Sequence, residues 1–232
     1  MFTVLSTICA ILIKKNGEKF LTMDETRSSL FTVWNGFVIA VVLVGFTLGQ
    51  HAVEVILVSN IDIDIAYRLW NFPQFRPDPQ NLMTPALALN LVTAIILAPV
   101  AEEIFFRRLL IQSLLMKYST LAAILISSLI FSVLHFHSFH LISTMVFSIT
   151  LALLYLKSRS ILICIASHSI FNIFAVLNDL YGFRPMVTEQ NIRDPATWLQ
   201  FLILYAFSVT ALALLAVRFQ RLYGNNRSPY SA

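Results

Sequence analysis

Long apolar runs alternate with short polar punctuation along most of the chain. Runs long enough to cross a bilayer as helices lie at about 30–49, 84–116, 119–136, 139–156, 160–180 and 198–219. Pro73, Pro77, Pro79 and Pro85 mark one longer break, and Pro185 and Pro195 another. The pattern predicts an all-α fold, a polytopic transmembrane helical bundle of about six spans. Phe2–Ile13 is short for a crossing and reads as interfacial; a seventh span there would move only the N-terminus. Lys14 and Lys15 follow its apolar part, whereas the basic residues of a signal peptide precede it. Residues 50–83 carry His51, Glu54, Asp62, Asp64, Arg68, Arg76 and Asp78, and are expected to form an outer loop with some helix.

Composition agrees with that pattern. Of 232 residues, 58% are hydrophobic and 12% charged, with a mean hydropathy of +0.77; soluble domains carry about 25% charged residues. One integral membrane domain, 1–232, is expected, with its chemistry concentrated at about 84–180. The net charge of +4 sits at segment ends, so it speaks of membrane orientation and not of nucleic acid.

With a cytoplasmic N-terminus, the inside regions hold Lys14, Lys15, Lys19, Arg27, Arg107, Arg108, Lys117, Lys157, Arg159, Arg218, Arg221 and Arg227. The outside regions hold Arg68, Arg76, Arg184 and Arg193. That bias predicts cytoplasmic N- and C-termini, and the small size suits a bacterial plasma membrane. Cys9 and Cys164 fall in apolar runs and suggest neither a disulfide framework nor a CxxC site.

Two adjacent glutamates, Glu102 and Glu103, interrupt the greasy stretch LAPVAEEIFFRRLLI. A carboxylate in hydrocarbon costs about 3 kcal/mol on insertion scales unless it is paired or wetted, so it marks a functional site by default. Arg107 lies one helical turn after Glu103 on the same face. Phe131-x-x-x-His135 and His168-x-x-x-Asn172 repeat that spacing on two further spans. Taken singly, each has a bland reading: a structural ion pair, a packed Phe131, or interhelical polar glue. Helix rise offers a depth check. Glu102 and His135 lie nearly equally far from the turn at 117–119, so a hairpin would bring them level. The check requires 84–116 to be one long element or two helices meeting at Pro99.

The set EExxxR, FxxxH and HxxxN, within PVAEEIFFRRLL, ISSLIFSVLHF and ILICIASHSIFN, resembles the CPBP (CAAX protease and bacteriocin-processing, or Abi) family of intramembrane endopeptidases. It is similar to the type II CAAX prenyl endopeptidases in particular, over roughly 84–180. Arg108 departs from the glycine that many members carry there. The resemblance implies a peptidase with no cofactor, acting on a protein or peptide substrate in or at the membrane. It implies that Glu102 is the general base, that Glu103 paired with Arg107 orients it, and that His168 and Asn172 donate hydrogen bonds to the oxyanion. His135 would hold the water or shuttle its proton.

Other readings stay open on the residues alone. A zinc site drawn from His135, His137, His140, His168 and Glu102 has poor helical spacing and no HExxH, so no metal is expected. A non-catalytic immunity or scaffold protein would keep the motifs without turnover. A proton- or cation-coupled transporter would use the glutamates as a relay, but the paired broken helices of such folds are not evident.

Overall fold

The computed structural model describes residues 30–71, 84–135, 141–181 and 187–223. These residues are all-helical: α1 (Leu30–Ser59), α2 (Ile63–Asn71), α3 (Pro85–Leu115), α4 (Thr120–Leu134), α5 (Leu141–Ser158), α6 (Ile161–Tyr181) and α7 (Pro195–Tyr223). Among the described residues, each expected apolar run holds a helix. Five of them, α1, α3, α5, α6 and α7, are long and apolar enough to cross a membrane. The fifteen residues of α4 make a shorter rod, about 22 Å at 1.5 Å per residue. The stretch Phe2–Ile13, with the seventh span considered there, lies outside the described residues. So do Pro73, Pro77, Pro79, Pro185, His137 and His140.

The first span does not stop at residue 49. α1 continues to Ser59, so residues 50–59, expected in the outer loop, are helix. The reason is that Gln50 and Glu54 find polar partners inside the bundle and His51 packs on an aromatic ring. Gln50 Nε2 donates to Glu54 Oε1 at 3.2 Å, and Tyr205 on α7 donates its hydroxyl to Gln50 Oε1 at 2.8 Å. His51 stacks on Trp70 of α2, with ring centroids 5.2 Å apart. Arg193 then closes the helix end, donating to the Ser59 carbonyl from Nε and Nη2 at 3.2 and 2.8 Å. The helix expected within the loop is α2. Asp62 starts it, its Oδ1 accepting from the N–H groups of Asp64 and Ile65.

α1 is the central post, packing on α7, α6, α2 and α5. Small residues set its distance from α7. A Cβ on Gly45 would lie 2.6 Å from Ser208 Oγ, and one on Gly49 would run into the Cβ of Tyr205 and stand 2.9 Å from the Phe201 carbonyl. The two glycines are one turn apart, the small-xxx-small device that lets membrane helices approach. A cluster around Trp70, Trp198, Phe201 and Val55 buries this end of the bundle. A second cluster, with Phe105, Phe106, Phe131, Phe147 and Leu151, surrounds the glutamates.

α3 is one continuous rod and not two helices meeting at Pro99. Thr84 caps its start, Oγ1 accepting from Leu87 N–H at 3.2 Å, with Pro85 in the first turn. Two π-helical stretches, Thr93–Leu97 and Ile104–Leu110, flank an α-helical Ala98–Glu103. In the first stretch the Ala98 N–H reaches back five residues to the Thr93 carbonyl. The wider turn admits Pro99, whose ring would clash with the carbonyl four residues back in a regular α-helix.

Candidate active site

Both glutamates leave α3 from the six α-helical residues between its π stretches, and both are buried, Glu102 at 4% and Glu103 at 0% exposure. Arg107, also fully buried, donates from Nε to Glu103 Oε2 at 2.8 Å. Its Nη1 and Nη2 donate to Ser148 Oγ on α5 at 3.2 and 3.3 Å. Its guanidinium carbon lies 5.9 Å from the centre of the Phe131 ring. A buried ion pair holds only when its remaining donors and acceptors are met. Here α3 and α5 supply that together, and the i, i+4 pairing expected from the sequence is the one seen.

His168 on α6 completes the shell. Its Nδ1 lies 2.9 Å from Glu103 Oε1. With Glu103 an acceptor, as the Arg107 pairing requires, Nδ1 carries the proton. His135 follows the last residue of α4, and its Nδ1 lies 2.8 Å from the Phe131 carbonyl, an acceptor that again assigns the proton to Nδ1. Both rings therefore turn Nε2 towards Glu102 Oε2, His135 at 3.7 Å and His168 at 3.9 Å. These separations exceed a direct hydrogen bond and suit a bridging molecule. In the neutral rings each Nε2 is a lone pair, so three acceptors face one another, and a bridging molecule must bring the protons.

Aromatic rings hold these imidazoles. His135 stacks on Phe131 with centroids 4.2 Å apart and planes 21° from parallel; Phe147 presents an edge contact to His168 at 4.8 Å. At the end of α4, Ser132 Oγ donates to the Leu141 carbonyl at 2.7 Å and so ties α4 to α5. The His135 side chain is the open one, 24% exposed against 5% for Glu102 and 6% for His168.

The structure thus brings together Glu102, Glu103, Arg107, His135 and His168, with Glu102 and His135 level as the hairpin check required. Asn172 is placed differently. It lies one turn after His168, but its Nδ2 donates to the Ala94 carbonyl in the first π stretch at 2.7 Å. Arg107 belongs to the buried site, so it drops out of the charges used to orient the chain. Sequence reasoning missed Ser148 and Phe147, which sit in no motif; one serine among several on α5 carries no mark of its partner. Among the described residues, no group of three or more His, Cys, Asp and Glu side chains is arranged to hold a metal ion.

The fold and site define a class: an integral membrane protein, a helical bundle with a buried glutamate–arginine–histidine constellation. Residues 84–174 match the family described as type II CAAX prenyl endopeptidase Rce1-like. The protein named "Putative membrane peptidase YdiL", from Bacillus subtilis (strain 168), is 32% identical over 106 residues, which is 46% of this chain and 43% of that protein. The chain therefore spans less than half the length of that curated relative. No solved structure matches. The three motifs all fall within the stretch that matches the Rce1-like type II CAAX prenyl endopeptidase family, 84–174, and the match agrees with the resemblance they suggested.

Proposed function

We propose that the chain is an intramembrane endopeptidase that hydrolyses a peptide bond of a membrane-associated protein by water activated at Glu102. The observation that carries this reading is the convergence of Glu102 Oε2 with two Nε2 atoms, at 3.7 and 3.9 Å, whose rings are pinned from behind. A water held there donates one proton to Glu102 Oε2 and the other to His135 Nε2, and keeps an oxygen lone pair for attack on a carbonyl. Glu102 takes the proton as the C–O bond forms, and the same proton then passes to the leaving amine as the C–N bond breaks. Glu103 stays ionised between Arg107 and His168 and fixes the latter ring. The second Nδ2–H of Asn172, the first being held by Ala94, would serve the oxyanion; His168 would do so from Nε2 only as imidazolium, with Nδ1–H still on Glu103.

α4 supports a site at depth. Its fifteen residues carry His135 about 24 Å from the turn at Ser119, within a hydrocarbon core about 30 Å thick. The family resemblance favours a prenylated protein as substrate; the small size and the bacterial relative favour a bacterial plasma membrane, and the Lys/Arg bias favours cytoplasmic termini. The test is substrate trapping. Glu102→Gln protein, expressed in native membranes, should retain an uncleaved protein that wild type processes at one defined bond. Retention of the same protein, uncleaved, by wild type and variant alike would point instead to a scaffold or immunity protein.

A further inference from the structure

Pro99 leaves a gap in the backbone hydrogen bonding of α3, and a side chain from another helix fills it. At the end of the first π stretch the backbone reaches back five residues: Ala98 N–H bonds the Thr93 carbonyl. The next bond of that ladder would run from residue 99 to the Ala94 carbonyl. Residue 99 is proline and has no N–H. Pro99 is itself fully buried, and at membrane depth no bulk water replaces the missing donor. The Ala94 carbonyl instead accepts from Asn172 Nδ2 at 2.7 Å, across 78 residues.

The place of this bond matters. Ala98–Glu103, which carries both glutamates, follows directly on the π stretch. A π turn takes up one residue more than an α turn. Loss of that extra residue would rotate everything after it by about 100° relative to the start of α3. Glu102 would then leave the space between His135 and His168.

We propose that Asn172 is a positioning residue: its amide stands in for the N–H that Pro99 lacks, and by holding the Ala94 carbonyl it locks the wide turn that aims Glu102. The bond defines a coupled pair, Pro99 and Asn172. Its catalytic meaning rests on the proposed role of Glu102, but the coupling itself does not.

A double-variant cycle in detergent-purified protein, without substrate, tests it. Two quantities are read: hydrogen exchange of the Val100–Glu103 amides, and the rate at which dicyclohexylcarbodiimide labels Glu102, mapped by peptide mass spectrometry. Asn172→Ala should raise the opening equilibrium of those amides by about tenfold or more, the scale of leaving one buried acceptor unpaired. It should also change Glu102 labelling severalfold. In a Pro99→Ala background, where the backbone supplies its own N–H, the same Asn172→Ala change should leave both quantities nearly unaltered. If Asn172→Ala alone does not fold, recovery of folded protein in the double variant is the expected rescue. Equal effects in the two backgrounds, unchanged exchange and labelling in Asn172→Ala, or failure of the double variant to fold would each overturn the proposal. Absence of any cleavage activity would bear on Glu102 as a base and would leave this cycle standing.

Discussion

His51 with Glu54 on α1, and His168 with Glu103 between α6 and α3, are both carboxylate–imidazole pairs inside apolar helices. The first is local: three residues apart, 3.6 Å between Nδ1 and Oε2, with Glu54 26% exposed. Its other contacts, to Gln50 and on to Tyr205, join α1 to α7. The second spans 65 residues at 2.9 Å, and its carboxylate is fully buried against Arg107. The decisive difference lies in what the imidazole faces. His51 has Trp70 stacked on the face of its ring; His168 turns its Nε2 to Glu102, faced also by His135. A polar pair in a membrane helix is therefore not enough to mark a site. The pair that does so is bound across helices, carries a buried compensated charge, and leaves a second set of lone pairs pointing at one place. The family match at 84–174 includes that region and none of the first pair.

Substitutions sharpen the contrast. Arg107→Ala should have the largest effect on stability, about 3–5 kcal/mol, because it leaves Glu103 buried and unpaired. The measurement is folded yield and thermal unfolding of detergent-purified protein; near-normal values would mean that Glu103 is not held as a charge. Ser148→Ala removes the hydroxyl that accepts from both terminal nitrogens of Arg107. It should cost about 1.5–3 kcal/mol, the range for hydrogen bonds to charged groups.

At the other end, Gly49→Leu drives a side chain into Tyr205 and the Phe201 carbonyl. It should destabilise the α1–α7 contact by about 1–3 kcal/mol, seen as faster proteolysis within α7 while exchange in α3 stays unchanged. Glu54→Gln keeps an acceptor for Gln50 and should cost less than about 1 kcal/mol, the scale of interhelical hydrogen bonds in membranes. A larger loss there than in Ser148→Ala would reverse the ranking of the two regions.

Much of this arrangement is legible in the residues. Apolar runs locate the helices because each must bury its own backbone bonds in lipid. The spacing of Glu103 and Arg107 gives their pairing because i and i+4 share a face. The end of α1 is not legible: Gln50, His51 and Glu54 look like residues leaving the membrane, and only the positions of Tyr205 and Trp70 show them packed within the bundle. The π stretches are hidden because TAIIL and IFFRRLL read as ordinary apolar helix. Pro99 hints at a break, but its remedy is Asn172, on another helix. Ser148 is hidden for a related reason, since its meaning comes from Arg107, 41 residues away.

The most direct measurement compares one matched pair of variants, Glu102→Gln and Glu54→Gln, on the protein retained by the trap. Both replace a carboxylate by an isosteric amide in a carboxylate–imidazole cluster, and both should leave thermal unfolding close to that of wild type. Loss of the general base should slow cleavage by Glu102→Gln about 100- to 10,000-fold, with cleavage by Glu54→Gln near the wild-type rate. Near-normal cleavage by a well-folded Glu102→Gln protein, or equal losses in the two variants, would contradict the assignment of the site to Glu102.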